Sequence, residues 1–200
     1  MEQIRTFIAI ELPEELGEKL GEFEARLKSG GQTQVRWVNP NSIHLTLKFL
    51  GDIAIDRVGE ISGAMEEAAR GIPPFVLEAR ETGVFPNPKR VRVAWVGLGG
   101  EVDKLLRLQQ NLEFNLKPLG FAAESRAFTA HLTLARVNEQ ASPLERERFG
   151  ELVSGTKFEA GNIRVEAVSL MRSQLSRAGA IYSCLSRVKL RTLPEVKFSH

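Results

Sequence analysis

Cysteine is almost absent. Cys184 is the single one in 200 residues, so no internal disulfide can form. It sits in GAIYSCLSRVKL, a strand-like stretch, where the role of a small buried apolar residue is expected ahead of that of a reactive thiol. Long hydrophobic runs are missing too. Nothing approaches the ~20 apolar residues of a membrane span. MEQIRTFIAIELPEEL, at the N-terminus, has no basic stretch followed by a long apolar one, so a soluble cytoplasmic protein is expected. Excess charge is absent: the net value is +2, which is not the footprint of a protein that coats DNA, although a local basic cleft is compatible with it. The chain has no G-x-x-x-x-G-K-[ST] loop, no G-x-S-x-G elbow and no complete dinucleotide fingerprint. VGLGGEVDKL comes nearest to the last, and its Gly97, Gly99 and Gly100 read as a strand-to-helix turn. What remains is 42% apolar residues and no low-complexity stretch, enough for one domain or one domain of two similar lobes.

The order of elements supports two lobes. RTFIAIEL (5–12) reads as a strand and PEELGEKLGEFEARLKSG (13–30) as an amphipathic helix, with Leu16, Leu20, Phe23 and Leu27 on one stripe. IHLTLKFLG (43–51) is a strand, 55–71 a helix and 75–85 extended. The pattern then restarts. RVRVAWVGLG (90–99) is a strand, 101–120 a helix and AFTAHLTLARV (127–137) a strand. A helix follows at 142–155, with Ser142 as N-cap and Pro143 at its first position, then extended stretches at 156–171 and 180–190. Ile8 precedes His44 by 36 residues and Ala94 precedes His131 by 37, which argues for an internal duplication. The expected fold is α+β: two pseudo-symmetric lobes, each a mainly antiparallel sheet with helices on its outer face, and a cleft between them. Residues 1–190 are expected to form this single bilobal domain, with 191–200 as a tail.

Histidine is also scarce, and its placement is informative. Of three histidines, His200 closes the sequence, and no role is expected for it. The other two open the same word, HLTL, at 44–47 and 131–134. On a strand, His44 and Thr46 share one face while Leu45 and Leu47 share the other, and His131 with Thr133 follow the same rule. Each word is therefore half core and half polar display. Facing one another across a cleft, two imidazoles can exchange roles as proton donor and acceptor near neutrality. Two threonine hydroxyls can hold the oxygens of a small anion. A structural word kept by the duplication remains an alternative. A zinc site lacks support, because no Asp, Glu or Cys stands at ligand spacing; Asp52 is the closest.

With these words in place the chain resembles the two-histidine phosphoesterase superfamily. Within it, the chain is similar to the RNA 2′,3′-cyclic phosphodiesterases, long called 2′-5′ RNA ligases. The resemblance rests on the paired H-x-T-x words, the opening RTFIAIELP, the extended motif HLTLKFLG, the second motif HLTLAR and the late SQLSRAGAIY (173–182), and it reaches to about Leu190. Ala130 departs from it, where relatives often carry proline. The resemblance implies a bilobal fold with a basic cleft, and hydrolysis of RNA ends bearing a 2′,3′-cyclic phosphate to a 2′-phosphate. It also implies a reverse reaction that joins ends through a 2′-5′ linkage. Neither metal nor nucleotide cofactor is implied, and tRNA fragments are among the substrates it suggests. A monomer is expected. Two other functions fit less well: a phosphodiesterase acting on 2′-5′ oligoadenylate or small cyclic nucleotides, and a noncatalytic RNA-end binder.

The resemblance assigns His131 as base and His44 as acid, with Thr46 and Thr133 on the nonbridging oxygens. Lys48, four residues after His44, is expected on the same strand face, either as a phosphate contact or as an exposed solubilising lysine. Strict alternation turns Arg136 away from the cleft, yet HLTLAR supports it as a phosphate contact if the strand bulges near Ala135. Phe49 and Phe128 read as core residues first and as candidates for stacking a base second, Phe49 the stronger candidate. Trp37 and Trp95 read as packing. Arg172, Arg177 and Arg187 fit either backbone contacts or a solvated strand face.

Overall fold

Each HLTL word is a strand that changes phase partway, and the fold is arranged around those two strands. The computed structural model describes residues 2–31, 34–158, 161–176 and 179–192. Among them are nine strands and four α-helices: β1 (Gln3–Glu11), α1 (Glu14–Lys28), β2 (Val35–Trp37), β3 (His44–Ala54), α2 (Val58–Ala69), β4 (Phe75–Phe85), β5 (Val93–Gly100), α3 (Val102–Leu116), β6 (His131–Val137), α4 (Pro143–Gly155), β7 (Gly161–Val165), β8 (Ala167–Ser176) and β9 (Gly179–Lys189). They build two antiparallel sheets, ordered β3-β1-β8-β9 and β2-β6-β5-β4-β7. In both, the HLTL strand pairs with the first strand of its own repeat, β3 with β1 and β6 with β5. The expected α+β class and doubled architecture are therefore present.

The caps follow from the residues. Ser142 accepts from the Glu145 amide while the Glu145 carboxylate accepts from the Ser142 amide, a complete capping box with Pro143 at the first helical position. Gly120 ends the α3 region at φ 89°, a backbone region that favours glycine.

The helices do not stay with their own repeats. α2 and α3 cover the first sheet, while α1 and α4 cover the second. α1 leaves β1 and lies on β7, where Leu16 meets Gly161 so closely that a Cβ there would lie 2.8 Å from its Cδ1. Each repeat thus gives the helix after its first strand to the other lobe. One continuous apolar core results, from Ile8, Leu45 and Leu170 under one sheet to Leu77, Val96 and Leu132 under the other.

Several expectations need adjusting. Cys184 is exposed, not buried, because β9 is a sheet edge and Cys184 stands opposite Met171 on the face away from the helices. Trp37 and Trp95 do pack, against Phe149 and Phe85 respectively. Arg191, at the start of the expected tail, still bridges to Ile72, while His200 lies outside the described residues. No helix among the described residues is long and apolar enough to cross a membrane.

Leu132 is fully buried on the core side of its motif. Truncation to alanine removes its packing and leaves a cavity, so urea unfolding of Leu132→Ala should show a loss of about 2–5 kcal/mol.

Candidate active site

β3 lies at the edge of its sheet, and the short β2 pairs with only the far end of β6, at Ala135–Val137. The His-Thr halves of both words thus sit on open edges, and β3 and β6 lie beside one another. His44, Thr46, His131 and Thr133 all line a single cleft of about 1190 Å³. Neither threonine hydroxyl has a protein hydrogen-bond partner among the described residues.

The two words carry the same local device. His44 Nδ1 lies 2.9 Å from the Ser42 carbonyl, and His131 Nδ1 lies 2.7 Å from the Thr129 carbonyl, in each case two residues upstream. A carbonyl oxygen can only accept, so Nδ1 carries the hydrogen and donates. That tautomer leaves Nε2 of each ring without its hydrogen and open to accept one. For His44 the carbonyl is placed by a short 3-10 turn, Pro40–Ser42, capped by the Asn39 side chain accepting from the Asn41 amide at 3.0 Å.

Beyond the threonines the strands bulge at equivalent positions. Thr46 stands opposite Ala9 and Lys48 opposite Ile8, leaving Leu47 as the extra residue. Thr133 stands opposite Trp95 and Ala135 opposite Ala94, leaving Leu134 extra. The order of burial from His44 to Leu50 repeats from His131 to Val137. The bulge returns Phe49 to the cleft face opposite Phe7, where it is 62% exposed, and it does the same for Arg136. Arg136 is exposed, borders the cleft and has no ion-pair partner among the described residues.

The same bulge overturns the expected direction of Lys48. It shares the core-side phase of Ile8, is 3% exposed, and donates to Glu113 Oε2 at 2.7 Å and to the Ala122 carbonyl at 2.8 Å. Lys48 still lines the cleft, but its amine is occupied by these two acceptors. Phe128 borders the cleft but also packs against the core. Arg172 pairs with Glu2 at 2.9 Å and Arg187 approaches Glu11 at 3.9 Å; Arg177 lies outside the described residues.

The walls include residues that pattern reading missed. Phe7 stacks on the His44 ring at 4.5 Å, and Tyr182 meets it edge-on at 5.0 Å. Phe85 meets the His131 ring edge-on at 5.2 Å. Arg5, Arg92 and Arg126 add cations without ion-pair partners among the described residues. Alternation along RTFIAIEL does put Arg5, Phe7 and Ala9 on one face, but only the pairing of β1 with β3 shows that this face is the cleft.

Burial lowers the pKa of His44 from the ordinary imidazole value, opposed in part by its hydrogen bond to Ser42. Desolvation disfavours the cation, so His44 is neutral in the empty cleft at neutral pH. An NMR titration of the His44 ring in the free protein should have its midpoint below about 6.5. Phe7→Leu opens that ring to water and should move the midpoint upward.

Comparison with known proteins agrees with this geometry. The sequence profile of the LigT-like phosphoesterases matches twice, over residues 10–95 and 97–182, one match per repeat. The RNA 2′,3′-cyclic phosphodiesterase of Methanothermobacter thermautotrophicus is 35% identical over 94% of this chain and all of its own length. That of Thermotoga maritima is 30% identical over 91% of this chain and 93% of its own. Among solved structures, E. coli LigT with 3′-AMP superposes at a TM-score of 0.72 with 26% identity, covering 94% of this chain and 99% of that one. A protein of Thermus thermophilus gives 0.73 with 28% identity, over 94% and 98%. A doubled profile match, full-length likeness and a shared fold coincide on one assignment: the chain belongs to the LigT-like phosphoesterase family.

Proposed function

We propose that this chain is an RNA 2′,3′-cyclic phosphodiesterase that opens a terminal cyclic phosphate to a 2′-phosphate, with His44 and His131 as its acid–base pair. The observation that carries the reading is the shared cleft in which both imidazoles are held through Nδ1 and leave Nε2 to exchange protons.

In this mechanism water attacks phosphorus in line with the 3′ oxygen. His131 Nε2 takes the proton from water as the new P–O bond forms. His44 Nε2 gives its proton to O3′ as the P–O3′ bond breaks, and the products are a 2′-phosphate and a free 3′-hydroxyl. The Thr46 and Thr133 hydroxyls donate to the nonbridging oxygens, and Arg136 offsets their growing charge. Phe49 offers an exposed ring on which the terminal base stacks. Because His44 is neutral in the empty cleft, the bound phosphate also acts on the acid itself. Its negative charge favours the imidazolium and so helps load His44 with a proton. With the 5′-hydroxyl of a second RNA in place of water, the same displacement joins two ends through a 2′-5′ linkage. RNA fragments ending in a cyclic phosphate, tRNA fragments included, are the proposed substrates.

The test is a short RNA ending in a 2′,3′-cyclic phosphate, incubated with a metal chelator present. The wild type should release the 2′-phosphate. His44→Ala and His131→Ala should each lower kcat by about 10²–10⁴. Binding without turnover at any pH would replace this reading with that of an RNA-end binder.

A further inference from the structure

The segment between α3 and β6 passes from one lobe to the other and forms part of the cleft wall through Arg126 and Phe128. Residues 122–130 belong to no helix or strand. Among the described residues this stretch has two hydrogen bonds, one at each end. At one end the Thr129 carbonyl accepts from His131. At the other, the Ala122 carbonyl accepts from Lys48 Nζ.

The Lys48 end is a built site. Glu113 Oε2 accepts from the ammonium at 2.7 Å, and Glu113 Oε1 accepts from Gln109 Nε2 at 3.1 Å. A buried ammonium is tolerated when a carboxylate and further acceptors surround it, and once so placed it is expensive to move. The cation is therefore fixed to α3 on one side and to β3 on the other, and its remaining bond goes to Ala122. Ala135, at the equivalent place in the second motif, can make no such connection. The brace exists in one lobe only.

We propose that Lys48 is a positioning residue for the RNA end: locked by Glu113, it tethers the 122–130 segment at Ala122 and so holds Arg126 and Phe128 where bound RNA meets them. The inference rests on the cyclic-phosphodiesterase reading above. Lys48 lines the cleft, but with its ammonium held by Glu113 and Ala122 it acts through this tether and not on the phosphate.

Two variants test this. Lys48→Met removes the tether but leaves Glu113, whose side chain is 16% exposed, without its cation. Lys48→Met/Glu113→Leu removes tether and charge together, and it decides the matter if the single variant does not fold. In both, tryptic cleavage after Arg126 should quicken about tenfold or more, while amide exchange in β3 and β6 stays as slow as in the wild type. KM for the cyclic-phosphate RNA should rise about tenfold with kcat within about threefold. Arg126→Ala should raise KM in the wild type and change it less than about twofold in the Lys48→Met background. Unchanged cleavage after Arg126, a wild-type KM in the double variant, or additive effects of Lys48→Met and Arg126→Ala would overturn the proposal. So would a fall in kcat with cleavage unchanged, which would make Lys48 a direct charge contact. A wild type that turns over no cyclic-phosphate RNA sinks the functional reading instead, and the cleavage measurement still decides the tether.

Discussion

A strand shows its side chains to opposite faces in strict alternation, and this protein depends on breaking that rule twice at the same place. The bulged leucines, Leu47 and Leu134, each insert one residue and reverse the phase of the residues next in line, and in β3 a second bulge at Leu50 reverses it again. Before the bulge, histidine and threonine face the cleft. After it, Phe49 and Arg136 face the cleft as well, and Lys48 and Ala135 take core-side positions. An unbroken strand would bury an arginine in one lobe and a phenylalanine in the other, and would turn a lysine beside His44. The bulges let each short strand turn both its His-Thr pair and one more distant side chain to the cleft.

The two halves of the cleft share this backbone device but not its lining. His44 sits among rings, stacked on Phe7 and flanked by Tyr182, while His131 meets a ring edge at Phe85. Position for position, Phe49 in one motif stands where Arg136 stands in the other. A duplicated scaffold has been furnished differently on its two sides. That suits a reaction whose two ends differ, one oxygen arriving with a proton to lose and the other leaving with a proton to gain.

The sequence made some of this legible. HLTL repeated at near-equal offsets from a preceding strand carried the two histidines, the two threonines and the doubling of the fold, because period and spacing survive without coordinates. Phe7 and Tyr182 were not legible, since they come from strands far away in the chain and meet His44 only through the β3-β1-β8-β9 order. Lys48 was misplaced because a bulge leaves no mark in composition; Leu47 looks like any other core leucine. Cys184 was misjudged because its strand is an edge, a property of the whole sheet. Arg126 belongs to a segment with no periodicity, and only the fold brings that segment across the cleft.

The crossed helices bear on how such a chain can come into being on a ribosome. Synthesis runs from the N-terminus, and domains generally fold as they emerge. Here α1, made almost first, packs on β7, which is made among the last elements. β1 likewise waits for β8 before its sheet is complete on that side. The nascent first repeat must therefore carry an uncovered apolar helix and an unfinished sheet through most of its own translation. Such long-range closure slows folding, and it makes the last strands the event that commits the molecule. Both histidines are already synthesised by then, but the apolar wall beside His44 closes only when Tyr182 arrives with β9.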